Sequence, residues 1–269
     1  MINHITINEQ RAVAIARVLK GVLERGDPLV SMPEYVLPRG MVPGSREHAL
    51  YLTYVIAVDY MVDAERLWRR ARELYERDPT FFTPQRILAA SEEELVSVLK
   101  ELGARFTRRA TRDWKEISRI LLERYGGDPR NIAPEPLALS EILRKLSEFP
   151  TLRGEKLSAF YVRVMHETGL LEVKDPENLG LPVNRQISRF TVYTGVLTGA
   201  DYLVVCSRPE LRALVREVWR RAAVAVGVHA WKLDEPMWNI GSKLCAKDRC
   251  KECPVKELCA RYQSSAKSG

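Results

Sequence analysis

Four cysteines lie within fifteen residues near the C-terminal end of this 269-residue sequence. Cys245, Cys250, Cys253 and Cys259 have the spacing C-x4-C-x2-C-x5-C. Four thiolates on a short loop can surround a tetrahedral zinc ion or one cubane [4Fe–4S] cluster. The spacing alone leaves both open. Lys247, Arg249, Lys251 and Lys256 interleave with the cysteines and would offset thiolate charge or meet phosphate. Cys206 stands 39 residues upstream and reads as a buried thiol. Secreted disulfide frameworks usually spread their cysteines along the chain, so this clustering points to an intracellular metal site.

Two further groups have chemical potential. Asp59 and Asp63 lie four apart on one helical face among mostly apolar neighbours. Such carboxylates are most often caps or salt-bridge partners, and less often catalytic acids. The segment Arg105-Phe106-Thr107-Arg108-Arg109-Ala110-Thr111-Arg112 is a basic patch with one aromatic ring. It suits a phosphate backbone or a flipped strand, and equally a solvated turn. Trp114 and Trp219 read as core residues of amphipathic helices.

The elements that must position these groups are helical. Apolar residues recur with a period near 3.6 over Gln10 to Arg25, and Arg46 to Tyr75 forms a strong helical stretch with a break near Val62 or Asp63. Thr83 opens a short helix through Ala89, and Ser91 with Glu94 forms a capping box for Glu92 to Leu102. Helices are further expected over Thr111–Tyr125, Ser140–Leu146, Glu155–Glu167, Asn184–Thr194 and Pro209–Val226. No strand alternation or repeat competes with these signals. The sequence is 46% hydrophobic, enough for a substantial core, and its net charge of +7 suggests a polyanionic partner. No apolar run reaches membrane-spanning length and the start does not read as a signal peptide, so the expected location is cytoplasmic.

From about Phe81 to Tyr262 the chain resembles the endonuclease III-like superfamily of helix-hairpin-helix DNA glycosylases. Cys253-Pro254-Val255 with Cys259 is similar to the end of that family's iron–sulfur loop, although the first gap is four residues rather than six. Leu146 to Ala159 resembles the family hairpin, Leu-Pro-Gly-x-Gly-x-Lys-x-Ala. Gly154 and Lys156 match its second glycine and its lysine, and Leu152 sits at the first glycine. Val183-Asn184-Arg185-Gln186-Ile187-Ser188-Arg189 resembles the family's Val-Asp-x-His-x-x-Arg segment, with Asn184 at the catalytic aspartate and Gln186 at the histidine. Trp238-Asn-Ile-Gly241 is similar to the lead into the cluster.

The resemblance implies an all-α fold of two helical subdomains with a C-terminal [4Fe–4S] loop, zinc being the alternative. The expected division is a central subdomain over 81–200 with hairpin 146–159. A second subdomain would take 1–80 and 201–262, with cluster loop 245–259 and a flexible tail over 263–269. The implied activity is base excision, with an AP lyase step, on double-stranded DNA carrying a damaged or mismatched base. The implied nucleophile is Lys156, depressed in pKa by burial or nearby positive charge. Arg153, Gly154, Arg105, Arg108, Arg109 and Arg189 would bind DNA. Asn184 carries no charge and cannot act as an acid. Asp59, Asp63, Asp175 and Asp234 are therefore the alternative acids. The competing expectations are a non-catalytic nucleic-acid-binding member of the superfamily and a zinc-stabilised protein-interaction domain. No obligate protein partner is evident.

Overall fold

Side-chain caps set most of the helix starts. The computed structural model describes residues 4–266. Asn8 caps α1 (Glu9–Glu24), Ser45 caps α2 (Arg46–Ile56) and Asp63 caps α3 (Ala64–Arg77). Thr83 and Ser91 likewise open α4 (Pro84–Ala89) and α5 (Glu92–Leu102). In each case a side-chain oxygen accepts from an N–H group that the first turn cannot satisfy. The long stretch expected over 46–75 is therefore two helices, parted where Asp63 begins the second. α6 (Thr107–Tyr125) starts four residues before Thr111, so the basic patch is largely helical. There follow α7 (Leu139–Leu146), α8 (Glu155–Glu167), α9 (Arg185–Tyr193), α10 (Tyr202–Ser207), α11 (Pro209–Val226), α12 (Asp234–Asn239) and α13 (Ala260–Ala266).

Among the described residues the fold is all-α apart from Thr6–Ile7, which pairs antiparallel with Leu197–Thr198, and one isolated bridge between Leu137 and Val173. The chain divides at Met32/Pro33 and Pro176/Glu177 rather than near residues 80 and 200. The expected flexible tail gives way to α13 as far as Ala266, and 267–269 lie outside the described residues. No helix among the described residues is long and apolar enough to cross a membrane.

One unit comprises the described residues up to Met32 and those from Glu177 onward. Its core gathers Ile15 and Leu19 from α1, Ile187 and Phe190 from α9, and Val215 and Trp219 from α11. The Trp219 indole N–H donates to Thr191 Oγ1 at 3.0 Å, so burial leaves no orphan donor there. Gly241 follows α12 and passes against α9. A Cβ at that position would lie 2.5 Å from the Gln186 carbonyl oxygen, a clash only glycine avoids.

The other unit runs from Pro33 to Pro176 and holds α2 to α8. Tyr51, Tyr54, Trp68, Phe82 and Trp114 meet edge to face in its core. Trp114 donates to the Tyr54 carbonyl at 3.0 Å. An ion pair is buried here as well. Arg163 Nη2 lies 2.8 Å from Glu34 Oε1, with both side chains 1–2% exposed. Arg163 Nη1 also donates to the Tyr35 hydroxyl at 2.6 Å. The pair ties the irregular segment before α2 to the middle of α8. Its cost of desolvation makes it a device for specifying that docking more than for adding stability.

Candidate functional site

Residues 147–154 join α7 to α8 and are pinned from beneath by apolar side chains. Leu146, Phe149 and Leu152 are fully buried. Leu152 thus occupies the expected first-glycine position by turning its side chain into the core. Above it, Arg153 N donates to Phe149 O at 3.2 Å and Gly154 N to Thr151 O at 3.4 Å. α8 then starts at Gly154 with no side-chain cap. The positive end of its dipole lies at this uncapped start, an arrangement suited to phosphate. Gly154 has φ −76°, and a Cβ there would meet nothing nearer than Thr151 O at 3.7 Å. The protein itself does not require glycine here, so what glycine keeps open is the approach from outside.

Lys156 stands in the first turn of α8 and is exposed, contrary to the burial expected of a neutral amine. Its Nζ lies 5.8 Å from the centroid of the Tyr60 ring. The desolvated group is its neighbour. Asp59 Oδ2 accepts a 2.9 Å hydrogen bond from the Trp68 indole N–H. Burial pushes the Asp59 carboxyl up from 3.8 to about 6, and Glu34 adds to the rise. The Trp68 hydrogen bond and the Lys156 charge oppose it. Trp68 escaped the sequence reading. Its signal was an indole nine residues beyond an acid in an apolar stretch. Asp63 is a helix cap that accepts from Arg66 N at 3.1 Å, and Asp175 accepts from Leu139 N at 2.7 Å. Neither therefore offers an idle carboxylate.

The basic segment splits by role. Arg105 places its guanidinium over the exposed Phe106 ring, 5.4 Å from the centroid. Arg108 is exposed, whereas Arg109 pairs with Asp113 at 3.5 Å. Arg189 belongs elsewhere. It is 8% exposed, donates to Gly241 O at 3.0 Å and to Gln186 Oε1, and stacks on Tyr202. Its guanidinium organises the start of α9 and is not presented to a ligand.

Asn184 caps α9. Its Oδ1 accepts from Gln186 N at 2.8 Å and from Ile187 N at 3.1 Å. An amide performs this task as well as a carboxylate, but without the charge. Asp234 is 2% exposed in the first turn of α12.

The cysteine loop corrects the sequence reading. Among the described residues no three or more Cys, His, Asp or Glu side chains are grouped so as to hold a metal ion. Neither the [4Fe–4S] cluster nor its zinc alternative is supported. All five cysteines are free. Burial, reinforced by the neighbouring cysteines, pushes the Cys245 thiol up to about 12 and raises Cys250. Burial also raises Cys253, to about 11. Cys259 donates its thiol to the Tyr193 carbonyl at 3.3 Å. The density of the motif was legible in the sequence, but the environment of each sulfur was not.

No family model matches the chain. It is 31% identical over 118 residues to the endonuclease III of Thermotoga maritima (strain ATCC 43589 / DSM 3109 / JCM 10099 / NBRC 100826 / MSB8). That match takes in 42% of this chain and 53% of the relative, so the chain spans about half the length of the curated protein it matches. Among solved structures it is similar to a trapped endonuclease III–DNA covalent intermediate in an estranged-adenine complex. The TM-score is 0.62 at 16% identity, covering 97% of this chain and all of that one. A thermostable thymine-DNA glycosylase gives a TM-score of 0.58 at 15% identity, covering 95% and 98% of the two chains. At such low identity the shared feature is the fold, and over nearly its whole length this chain shares the all-α fold of these two structures.

Proposed function

We propose that the protein is a DNA N-glycosylase with an AP lyase step, acting on a damaged or mismatched base in duplex DNA. One observation carries the reading. α8 opens uncapped straight after the α7–α8 hairpin, with Lys156 in its first turn and the buried Asp59 carboxylate within electrostatic reach. The likeness to a structure trapped as a covalent DNA intermediate supports the same reading.

The hairpin N–H groups hold the backbone by its phosphates while the target nucleotide leaves the stack, which costs a few kcal/mol. Lys156 passes a proton to Asp59, which accepts it because its surroundings favour the neutral acid. The neutral amine then attacks C1′. The N-glycosyl bond breaks, its electron pair leaves with the base, and the base recovers a proton from Asp59. Collapse to a Schiff base, loss of a C2′ proton and departure of the 3′ phosphate cut the strand by β-elimination. Asp59 thus supplies the carboxylate that position 184 lacks.

The test uses labelled duplexes carrying uracil, oxidised purines, oxidised pyrimidines or a G·T mismatch, each with and without borohydride. Base release and a trapped adduct that vanishes in Lys156→Ala are the expected results. Unchanged strand cleavage in that variant removes Lys156 from the mechanism. The second reading is a non-catalytic nucleic-acid-binding protein, and the observation in its favour is Asn184, whose amide serves only as a cap in α9. Tight binding without release across the panel would favour it.

A further inference from the structure

Two acids in the unit that runs from Pro33 to Pro176 are held by the same pair of helices. α8 supplies one set of anchors. Lys156 and Arg163 are seven residues apart, about two turns, so both leave the same face of α8. Lys156 Nζ lies 5.8 Å from the centroid of the Tyr60 ring, and Tyr60 follows Asp59 in the chain. Arg163 Nη2 lies 2.8 Å from Glu34 Oε1. Phe160 stands on the turn between the two cations, its ring centroid 5.3 Å from the Arg163 guanidinium carbon. α3 supplies the other set. Trp68 donates to Asp59 Oδ2 at 2.9 Å. Arg72, one turn further on, donates to the Pro33 carbonyl at 3.3 Å, beside Glu34. Both helices therefore carry Asp59 and Glu34 in register, near enough for the charge of one to act on the other.

We propose that Glu34 is a positioning residue of this site: an anion fixed beside Asp59 by Arg163, it keeps the transferred proton on Asp59 until the base departs. The inference rests on the function proposed above and adds a second carboxylate to it. Two carboxylates withdrawn from water do not both carry charge cheaply, so where one is paired the proton settles on the other. Glu34 is the paired one, with its side chain 2% exposed and that of Arg163 1%. The Trp68 hydrogen bond and the Lys156 charge both favour the ionised form of Asp59, and Glu34 is the charge that opposes them. No proton crosses Glu34. It leaves Lys156 Nζ, rests on Asp59 and passes to the base. Docking alone does not call for this pair, since an apolar contact would join the segment to α8 without the cost of desolvating two charges. What the pair adds is a negative charge at a fixed place, and Asp59 is a group that feels it.

The experiment follows pH profiles in a paired variant, Glu34→Met with Arg163→Met, because removing either partner alone strands a buried charge. Glu34→Gln with Arg163→Gln, which keeps a polar pair without the charges, is measured alongside. Two quantities are read from about pH 4 to 9. One is the rate of base release from the lesion duplex. The other is the stability difference between each background and its Asp59→Asn counterpart, by denaturant titration. In the parent that difference should open as pH rises from 3.8 to about 6, because the folded state holds the Asp59 proton more tightly than the unfolded one. Without the charge at residue 34, the end of that opening and the rise in rate should both move down by roughly half a pH unit. A pair that serves only as a clasp would change stability or rate at every pH and leave both midpoints in place. Unmoved midpoints in variants that fold and release base overturn this inference alone. A parent that releases no base from any duplex of the panel overturns the proposed function, and the role of Glu34 with it.

Discussion

On the proposed mechanism, Asp59 serves activity at the expense of stability. Its carboxyl is raised from 3.8 to about 6 chiefly by burial. The folded state therefore holds its proton more tightly than the unfolded state. Stability is unaffected below the unfolded pKa, falls as pH rises between the two values, and stays lowered above about 6. Asp59→Asn keeps an oxygen for the Trp68 N–H and removes the buried charge. The variant should be more stable than the parent at pH 8 by roughly 3 kcal/mol and nearly equal at pH 4, read by denaturant titration. Its lyase rate should be low, and the rise through pH 6 expected of the parent should be lost. A variant that is neither stabilised at pH 8 nor altered in pH profile would remove Asp59 from the mechanism. Asn184→Asp probes the other position. The new carboxylate would still cap α9 and would gain about 0.3–1 kcal/mol from the helix dipole, so the melting temperature should hold or rise. A gain in base release without loss of stability would mean that a charge at residue 184 adds to the chemistry.

At the level of elements, the sequence was informative where local chemistry decides and silent where neighbours decide. Ser91 with Glu94 announced α5, whose observed limits are Glu92–Leu102. Glu155 to Glu167 likewise matches α8. Periodicity and caps act within one turn, so no partner needs to be known. α10 and α12 have six residues each, too few for a periodic signal. The hairpin was readable by its Gly154 and Lys156, but not the way Leu152 replaces a glycine, because that depends on a core supplied by Phe149 and Leu146. Gly154 itself offers a clean test. Its backbone angles suit any residue and a Cβ meets only ordinary contact, so Gly154→Ala should cost about 1 kcal/mol or less, the penalty of alanine at a helix start. The same methyl group would stand between the uncapped N–H groups and a phosphate. Duplex affinity should therefore fall by roughly tenfold, about 1.4 kcal/mol. Equal losses of stability and binding would show that the effect is merely structural.

For the whole molecule, the net charge of +7 is a weaker guide to DNA binding than the placement of individual arginines. Many of the arginines are engaged internally. Arg220 and Arg221 both pair with Glu217, at 2.8 and 2.7 Å. Arg130 pairs with Asp128 and Arg124 with Glu148. Arg105 and Arg108, in contrast, join no carboxylate in an ion pair among the described residues, and Arg153 is exposed at the hairpin. Phosphate contacts release counterions, so each contributes about 0.9 to the slope of log affinity against log salt. Arg108→Ala and Arg220→Ala lower the net charge equally. If total charge governed binding, both would weaken it alike. If the surface around the hairpin governs it, Arg108→Ala should reduce the slope by about 1 and weaken intact and lesion-bearing duplexes in parallel, while Arg220→Ala should leave slope and affinity unchanged. Titrations between 50 and 200 mM salt decide between them. A slope that drops equally in both variants would mean that the basic composition visible in the sequence, rather than the geometry of this face, accounts for the attraction to DNA.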